Sequence, residues 1–445
     1  MNKEIKERLN HIRSGIVTPG YKKTKIGIIP EEWEMNLLGD ICSFSQGIQI
    51  DLIEQKNSYK DGYIRFLRIE NYTQDSNDFR FIKKKKNILS KVIDINDIVV
   101  VRYGATAGFV GYGLDGVLAN NLFKVSPDKR YLNNTFLYII LKNNRTFQYL
   151  QKAMFGGAMP AISFSIIKNY KISVPPLPEQ HRIAEILSTW DKAIELKEKL
   201  IEQKKLQKRG LMQMLLTGKK RLPGFSGEWK EVKLGKLIEK WADGGTPSRK
   251  TNNNYFNGDI NWIVINDIKH YISETKEKLT LAGLKNCSSE LWSIGSVILS
   301  TGATIGLCGI LIIKSATKQG ITGIIVKKEM LNNEYLRYWF VSNKKLLLRF
   351  AQGSSFKEIR TYNLAKILFS KPILREQKVI VSLLSKADQD IEILEKELEQ
   401  LKEQKRGLMQ LLLTGIVRVN DLIPDPSPNE EKGEKSFLDR KDLGR

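Results

Sequence analysis

The chain has 445 residues, a length that suggests two or three domains, and 41% hydrophobic with 9% aromatic residues is enough to build sizeable cores, so wholesale disorder is excluded. Lys and Arg number 72 against 49 Asp and Glu; the net charge of +23 favours a polyanionic partner, nucleic acid or an anionic membrane surface. No apolar run approaches the ~18 to 20 residues of a spanning helix, and the N-terminus lacks the apolar core of a signal peptide, so a cytoplasmic protein is expected. Cys42, Cys287 and Cys308 are too few and too far apart for a disulfide framework or a CxxC metal knuckle. With only His11, His181 and His270 besides, no metal site is expected.

Taken in chain order, residues 63–69 and 97–101 read as short strands, 132–141 as a helix, and a long helix starts near Glu179 behind the stop Val174-Pro175-Pro176-Leu177. Residues 261–265, 296–299 and 321–326 again read as strands, 333–340 as a helix, and a second long helix follows. The Pro-rich charged stretch 422–445 lacks periodicity and is expected to be mobile.

The order repeats. Lys208 to Gly218 reads KRGLMQMLLTG and Lys405 to Gly415 reads KRGLMQLLLTG, one substitution in eleven positions at an offset of 197. The offset also carries Glu179-Gln180 onto Glu376-Gln377 and Asp191 onto Asp388. Nearby, Trp33 with Leu38-Gly39 matches Trp229 with Leu234-Gly235, and the turn Gly104-Ala105-Thr106-Ala107-Gly108 matches Gly302-Ala303-Thr304-Ile305-Gly306. Ser14-Gly15-Ile16-Val17 resembles Thr414-Gly415-Ile416-Val417, as though the end of one unit had been moved to the front.

In the second long helix Ile380, Leu384, Ala387, Ile391, Leu394, Leu398, Leu401, Lys405, Leu408 and Leu412 keep the 4,3 spacing of a coiled-coil seam. In the first the positions are Ile183, Leu187, Trp190, Ile194, Lys197, Ile201, Lys204, Lys208, Leu211 and Leu215, with Lys197 and Lys204 in place of two leucines. A seam of 33 residues makes a helix of about 50 Å, and packing one seam on the other, antiparallel, is the simplest way to bury both. The expected fold is therefore α+β, two globular mixed α/β domains separated by two long helices forming an antiparallel coiled coil, with a pseudo-twofold internal repeat. The expected segments are 1–178, 179–221, 222–374, 375–421 and the tail 422–445.

The charge divides along these lines: +10 in residues 1–178, +5 in 179–221, +10 in 222–374 and −1 in each of the last two segments. Two basic modules and a nearly neutral spacer fit a protein that reads two short DNA sequences, phosphate contacts giving affinity and base-edge contacts specificity. A membrane surface fits less well, since the helices carry a narrow seam and no broad lipid-facing stripe. Candidate DNA contacts in the first module are Arg65, Arg68, Lys83, Lys84, Lys85, Lys86, Arg102, Tyr103 and the glycine loop with Gly157; in the second they are Asn252, Asn261, Asn266, Lys269, His270, Ser354, Ser355, Lys357 and Arg360.

Catalytic signatures are missing: there is no GxxxxGK(S/T) loop, and the double proline lacks the polar and aromatic neighbours that hold a flipped adenine. The two glycine turns follow strands without a clear helix behind them and read as tight turns. No catalytic residue is expected in this chain. The alternative is a single-chain DNA methyltransferase or nuclease whose motifs have drifted, with Pro424-Asp425 and Glu430-Glu431-Lys432 as a faint nuclease-like trace.

GYKKTKIGIIPEEW at Gly20 to Trp33, PPLPEQHRIAEIL at Pro175 to Leu187, the KRGLMQxLLTG pair and RLPGFSGEW at Arg221 to Trp229 resemble the specificity subunit of Type I restriction-modification systems. The resemblance covers the chain to about residue 420, with a departure at Lys371-Pro372-Ile373-Leu374-Arg375. It implies two target recognition domains reading a bipartite, asymmetric site on double-stranded DNA, a coiled coil that sets the spacer, and two modification (methyltransferase) subunits bound mainly to the helices. S-adenosylmethionine would then belong to those partners, and ATP and Mg²⁺ to the restriction (motor and nuclease) subunits.

Overall fold

The computed structural model describes residues 3–74, 76–154, 161–248, 255–353 and 357–422. The tail expected to be mobile lies, apart from Leu422, outside them. Two compact units result, Met1–Glu195 with Glu399–Arg445, and Leu196–Leu398. Each therefore holds part of both long helices, Leu177–Leu215 and Leu374–Leu413, so the boundaries cut the helices that the sequence had set apart as segments of their own.

The first unit carries two four-stranded sheets. One runs Cys42–Gln46, Leu122–Pro127, Ile98–Val101, Val110–Gly111, antiparallel throughout. The other runs Arg80–Lys83, Tyr63–Leu67, Gly116–Leu118, Val92–Ile93, with its middle pair parallel. The run Ile-Val-Val-Val at Ile98–Val101 is buried at all four positions, which is why it reads as a strand from composition without alternation. The second unit has a five-stranded sheet, Ile238–Asp243, Ile321–Val326, Val297–Ser300, Cys308–Leu311, Tyr271–Ile272, and a three-stranded one, Glu277–Leu279, Phe256–Ile263, Ser315–Thr317. The strand expected at 261–265 begins five residues earlier and stops at Ile263, because a single 3₁₀ turn, Ile265–Asp267, takes the chain away.

The recurring Glu-Gln pair explains how each long helix is attached. Gln180 accepts the backbone N–H of Asn133 at 2.8 Å and donates to the carbonyls of Tyr131 and Pro175. Gln377 does the same with Asn332, Met330 and Pro372. Asn133 and Asn332 in turn cap the helices Asn134–Lys142 and Asn333–Ser342, accepting from Phe136 and Tyr335. Glu179 accepts the indole N–H of Trp33 at 2.9 Å and Glu376 that of Trp229 at 3.1 Å. The buried amide and the carboxylate beside it thus join capped helix, long helix and the tryptophan before the next strand at one point in each unit.

The helix segments run antiparallel within each unit. In the first, Ile183 and Leu187 share a core with Leu408 and Leu412, and one turn on Lys405 reaches Asp191 at 2.5 Å. In the second, Lys197 pairs with Glu397 at 2.7 Å, Lys205 with Glu395 at 2.9 Å, and Lys208 with Asp388. Ile183, Leu187, Ile201, Leu215, Ile380, Leu384, Ile391, Leu398 and Leu412 are buried, and Trp190, Ile194, Leu211, Leu394, Leu401 and Leu408 half-buried. No helix among the described residues is long and apolar enough to cross a membrane.

Candidate nucleic-acid interface

In the first unit, Gly47 lies so close to the turn after Gly116–Leu118 that a Cβ there would stand 2.1 Å from the Ala119 carbonyl. Only glycine permits this approach, which its N–H completes by donating to Leu122 O at 2.9 Å. The same contact brings amide side chains together: Asn120 Nδ2 donates to Gln49 Oε1 at 2.7 Å, and Gln46 Nε2 to the Asn120 carbonyl at 3.1 Å. Gln49 and Asn120 line a cleft of about 300 Å³ with Gln55, Asn121, Arg68 and Glu70, and Gln46 lies beside it. Asn121 Oδ1 is buried there with no hydrogen-bond partner among the described residues.

Amides present a donor and an acceptor side by side, the pattern that matches adenine edges, so this cleft is chemically suited to reading bases. Sequence reasoning missed Gln46, Gln49, Asn120 and Asn121. The available signal was two amide pairs, each beside a strand end and one flanking a glycine; it carried no charge and so did not stand out.

Arg68, a candidate from sequence, does line this cleft, yet its guanidinium is already engaged, with Glu70 at 2.8 Å and the Asp78 carbonyl at 3.0 Å. Arg65 pairs with Asp115 at 2.7 Å and covers the Phe79 ring. Lys83 closes the strand Arg80–Lys83, and Lys83, Lys84, Lys85 and Lys86 are all exposed on this sheet's edge, with Lys85 3.1 Å from Glu54. Arg102 stacks on Tyr103 at 4.8 Å and donates to the Ile162 carbonyl, while its own N–H bonds to Asn121 O. Arg68 thus shares the cleft with Asn121, whereas Arg102 touches Asn121 only through the backbone and sends its side chain elsewhere. Gly104 and Gly108 take φ of +86° and +91°, as a tight turn requires.

The second unit repeats the backbone approach with different side chains. A Cβ on Gly244 would stand 2.2 Å from the Lys318 carbonyl, and Gly244 N–H donates to Ile321 O at 2.9 Å. Here Trp262 donates to the Gly245 carbonyl and lies under Lys318, so an indole stands beside this glycine pair. Asn261 is committed to the Lys314 carbonyl and Thr275. Asn266, Lys269, Lys357 and Arg360 are exposed, Arg360 beside Glu358 at 3.3 Å.

His270 turns toward the helices: Nε2 lies 3.1 Å from Glu334, Nδ1 3.6 Å from Asp388, and the ring stacks on Tyr271 at 4.3 Å. The structure gives it a bracing position, half-buried between carboxylates. Gly157, Asn252, Ser354 and Ser355 lie outside the described residues. Burial pushes the Cys42 and Cys308 thiols up to about 12, leaving neither ionised as a nucleophile at neutral pH. Among the described residues no group of three His, Cys, Asp or Glu could hold a metal ion.

Repeated basic domains, each with a glycine-closed loop and locked to long helices, define a modular DNA-reading protein. The model for the Type I restriction modification DNA specificity domain matches residues 30–205 and again 226–403. The chain belongs to this family. It is 27% identical over 416 residues to the Type I restriction enzyme MjaVIII specificity subunit of Methanocaldococcus jannaschii, covering 88% of this chain and 95% of that one. It is 29% identical over 429 residues to the putative MjaX specificity subunit of the same organism, covering 90% and 97%. The S subunit of a Type I system from M. genitalium shares the fold, with TM-score 0.53 at 16% identity over 89% of this chain and 99% of that one. So does a chain solved in work on complex assembly and conformational transition of the type I R-M system, with TM-score 0.59 at 18% identity over 87% and 99%.

Proposed function

We propose that this chain is the DNA-specificity subunit of a Type I restriction-modification complex. Its two domains each read one half of a bipartite, asymmetric DNA target, and its long helices hold two modification subunits and the restriction subunits. The chain itself is non-catalytic. S-adenosylmethionine serves the modification partners, and ATP and Mg²⁺ the restriction partners, in the cytoplasm. The observation that carries this reading is the family match to both halves of the repeat, joined to different side chains at the same glycine-closed place in each half.

Gln49, Asn120, Asn121 and Arg68, which line the cleft, are the base-reading candidates of the first domain, with Lys83 to Lys86 on the phosphates. In the second domain Asn266, Lys269, Lys357 and Arg360 are the exposed candidates. The test is a domain exchange: residues 38–170 are replaced by the matching segment of another specificity subunit, and the methylated motifs of cells carrying the complex are sequenced. One half of the motif should change and the other persist. A change in both halves, or in neither, contradicts the reading.

A further inference from the structure

In the first unit a cleft of about 410 Å³ opens between the helices Asn134–Lys142 and Asn144–Met154, the strand Lys171–Val174 and the last turns of the second long helix. That is the size of an ordinary ligand site. Its floor is Ile140, Tyr170, Ile172, Met409 and Leu413. Arg145, Lys171 and Arg406 stand around it, all exposed, and among the described residues no carboxylate lines it.

The repeat shows what such a space takes. Ile140, seven residues after the capping Asn133, corresponds to Trp339, seven after the capping Asn332. Ile172, second in its strand, corresponds to Phe369, second in Leu368–Lys371; Met409 and Leu413 correspond to Met212 and Leu216. In the second unit the Trp339 and Phe369 rings lie 4.9 Å apart and share a core with Met212 and Leu216, which are 6% and 3% exposed. In the first unit Met409 and Leu413 are only half-buried. The scaffold is kept and an aromatic pair is missing. Tyr170, in place of Ile367, is held by Tyr149 at 4.7 Å and by the Thr146 hydroxyl at 3.0 Å, and it lines the cleft without closing it.

We infer that this cleft is a docking site for an aromatic side chain flanked by carboxylates, presented by a protein partner. The ring takes the place that Trp339 fills in the other unit, and the carboxylates pair with Arg145, Lys171 and Arg406, for which guanidinium geometry is suited. A nucleotide is also aromatic and anionic, and Asn143, Gln148 and Gln410 line the cleft too; but Ile140 and Ile172 stand where the other unit packs a Trp–Phe pair, which favours an indole or phenyl ring over a base.

The test uses the full chain and a fluorescein-labelled peptide, glutamate-glutamate-tryptophan-glutamate-glutamate, followed by anisotropy. Saturable binding is expected, weakened at least about tenfold by the filling variant I140W/I172F, by R406E, and by alanine in place of the peptide's tryptophan. I140W/I172F borrows the side chains of the other unit, and R406E changes an exposed position, so one of them should fold as judged by circular dichroism. No saturable binding, binding indifferent to whichever variant folds, or displacement by AMP would each overturn the inference.

Discussion

The side chain of Glu376 is 1% exposed and accepts from Arg221 at 2.8 and 2.9 Å and from Trp229 at 3.1 Å. Its counterpart Glu179 is 12% exposed and accepts from Arg418 at 2.8 and 2.9 Å and from Trp33. Hydrogen bonds to Glu179 and Glu32 hold the Arg418 guanidinium above its ordinary range despite partial burial. The two arginines stand 197 residues apart, the offset of the repeat, so one contact recurs with different burial. A charge left alone in a dry site costs far more than one that water can reach. Arg221→Ala should therefore destabilise by about 3–5 kcal/mol and Arg418→Ala by clearly less, read as urea midpoints with Glu376→Gln as the shape-preserving control. Equal losses would mean that burial at the two sites does not differ in effect.

Asp388 sits where three elements meet: Lys208 from the first long helix, the Tyr338 hydroxyl at 2.6 Å from the capped helix, and His270 from the loop before Tyr271–Ile272. Burial, and then its bond to Asp388, raise the Tyr338 hydroxyl above its ordinary range, so it donates at any physiological pH. The repeat equivalent Asp191 meets Lys405 and is 56% exposed. Asp388→Ala should cost about 1.5–3 kcal/mol, the scale of a charged hydrogen bond, and Asp191→Ala at most about 1 kcal/mol. Thermal unfolding of the two variants decides; a larger loss at Asp191 would contradict the bracing role.

At this scale the sequence was informative. The helices read at 132–141 and 333–340 fall within two residues of Asn134–Lys142 and Asn333–Ser342, though the caps Asn133 and Asn332 were not recognised. The Glu-Gln recurrence was visible too, but its work was not, because Tyr131, Asn133 and Trp33 are distant in sequence. The amide cleft was hidden for the same reason. His270 looked like a DNA contact by residue type, and only the fold reveals the carboxylates around it.

For the molecule as a whole, +20 of the +23 falls as +10 in each domain, so neither half dominates the pull on a duplex. Phosphate contacts carry affinity and salt dependence, and base contacts carry discrimination. If both domains engage, about 6–10 neutralised phosphates should lower DNA affinity by ~10³ to 10⁵ between 50 and 200 mM salt. The two kinds of contact can then be separated in the assembled complex. Scrambling one half of the target should weaken binding at every salt concentration while leaving the slope of log K against log salt nearly unchanged, because the backbone contacts of that domain persist. Should the slope fall by about half instead, the domain has left the duplex, and base contacts are needed for its docking as well as for its choice of sequence.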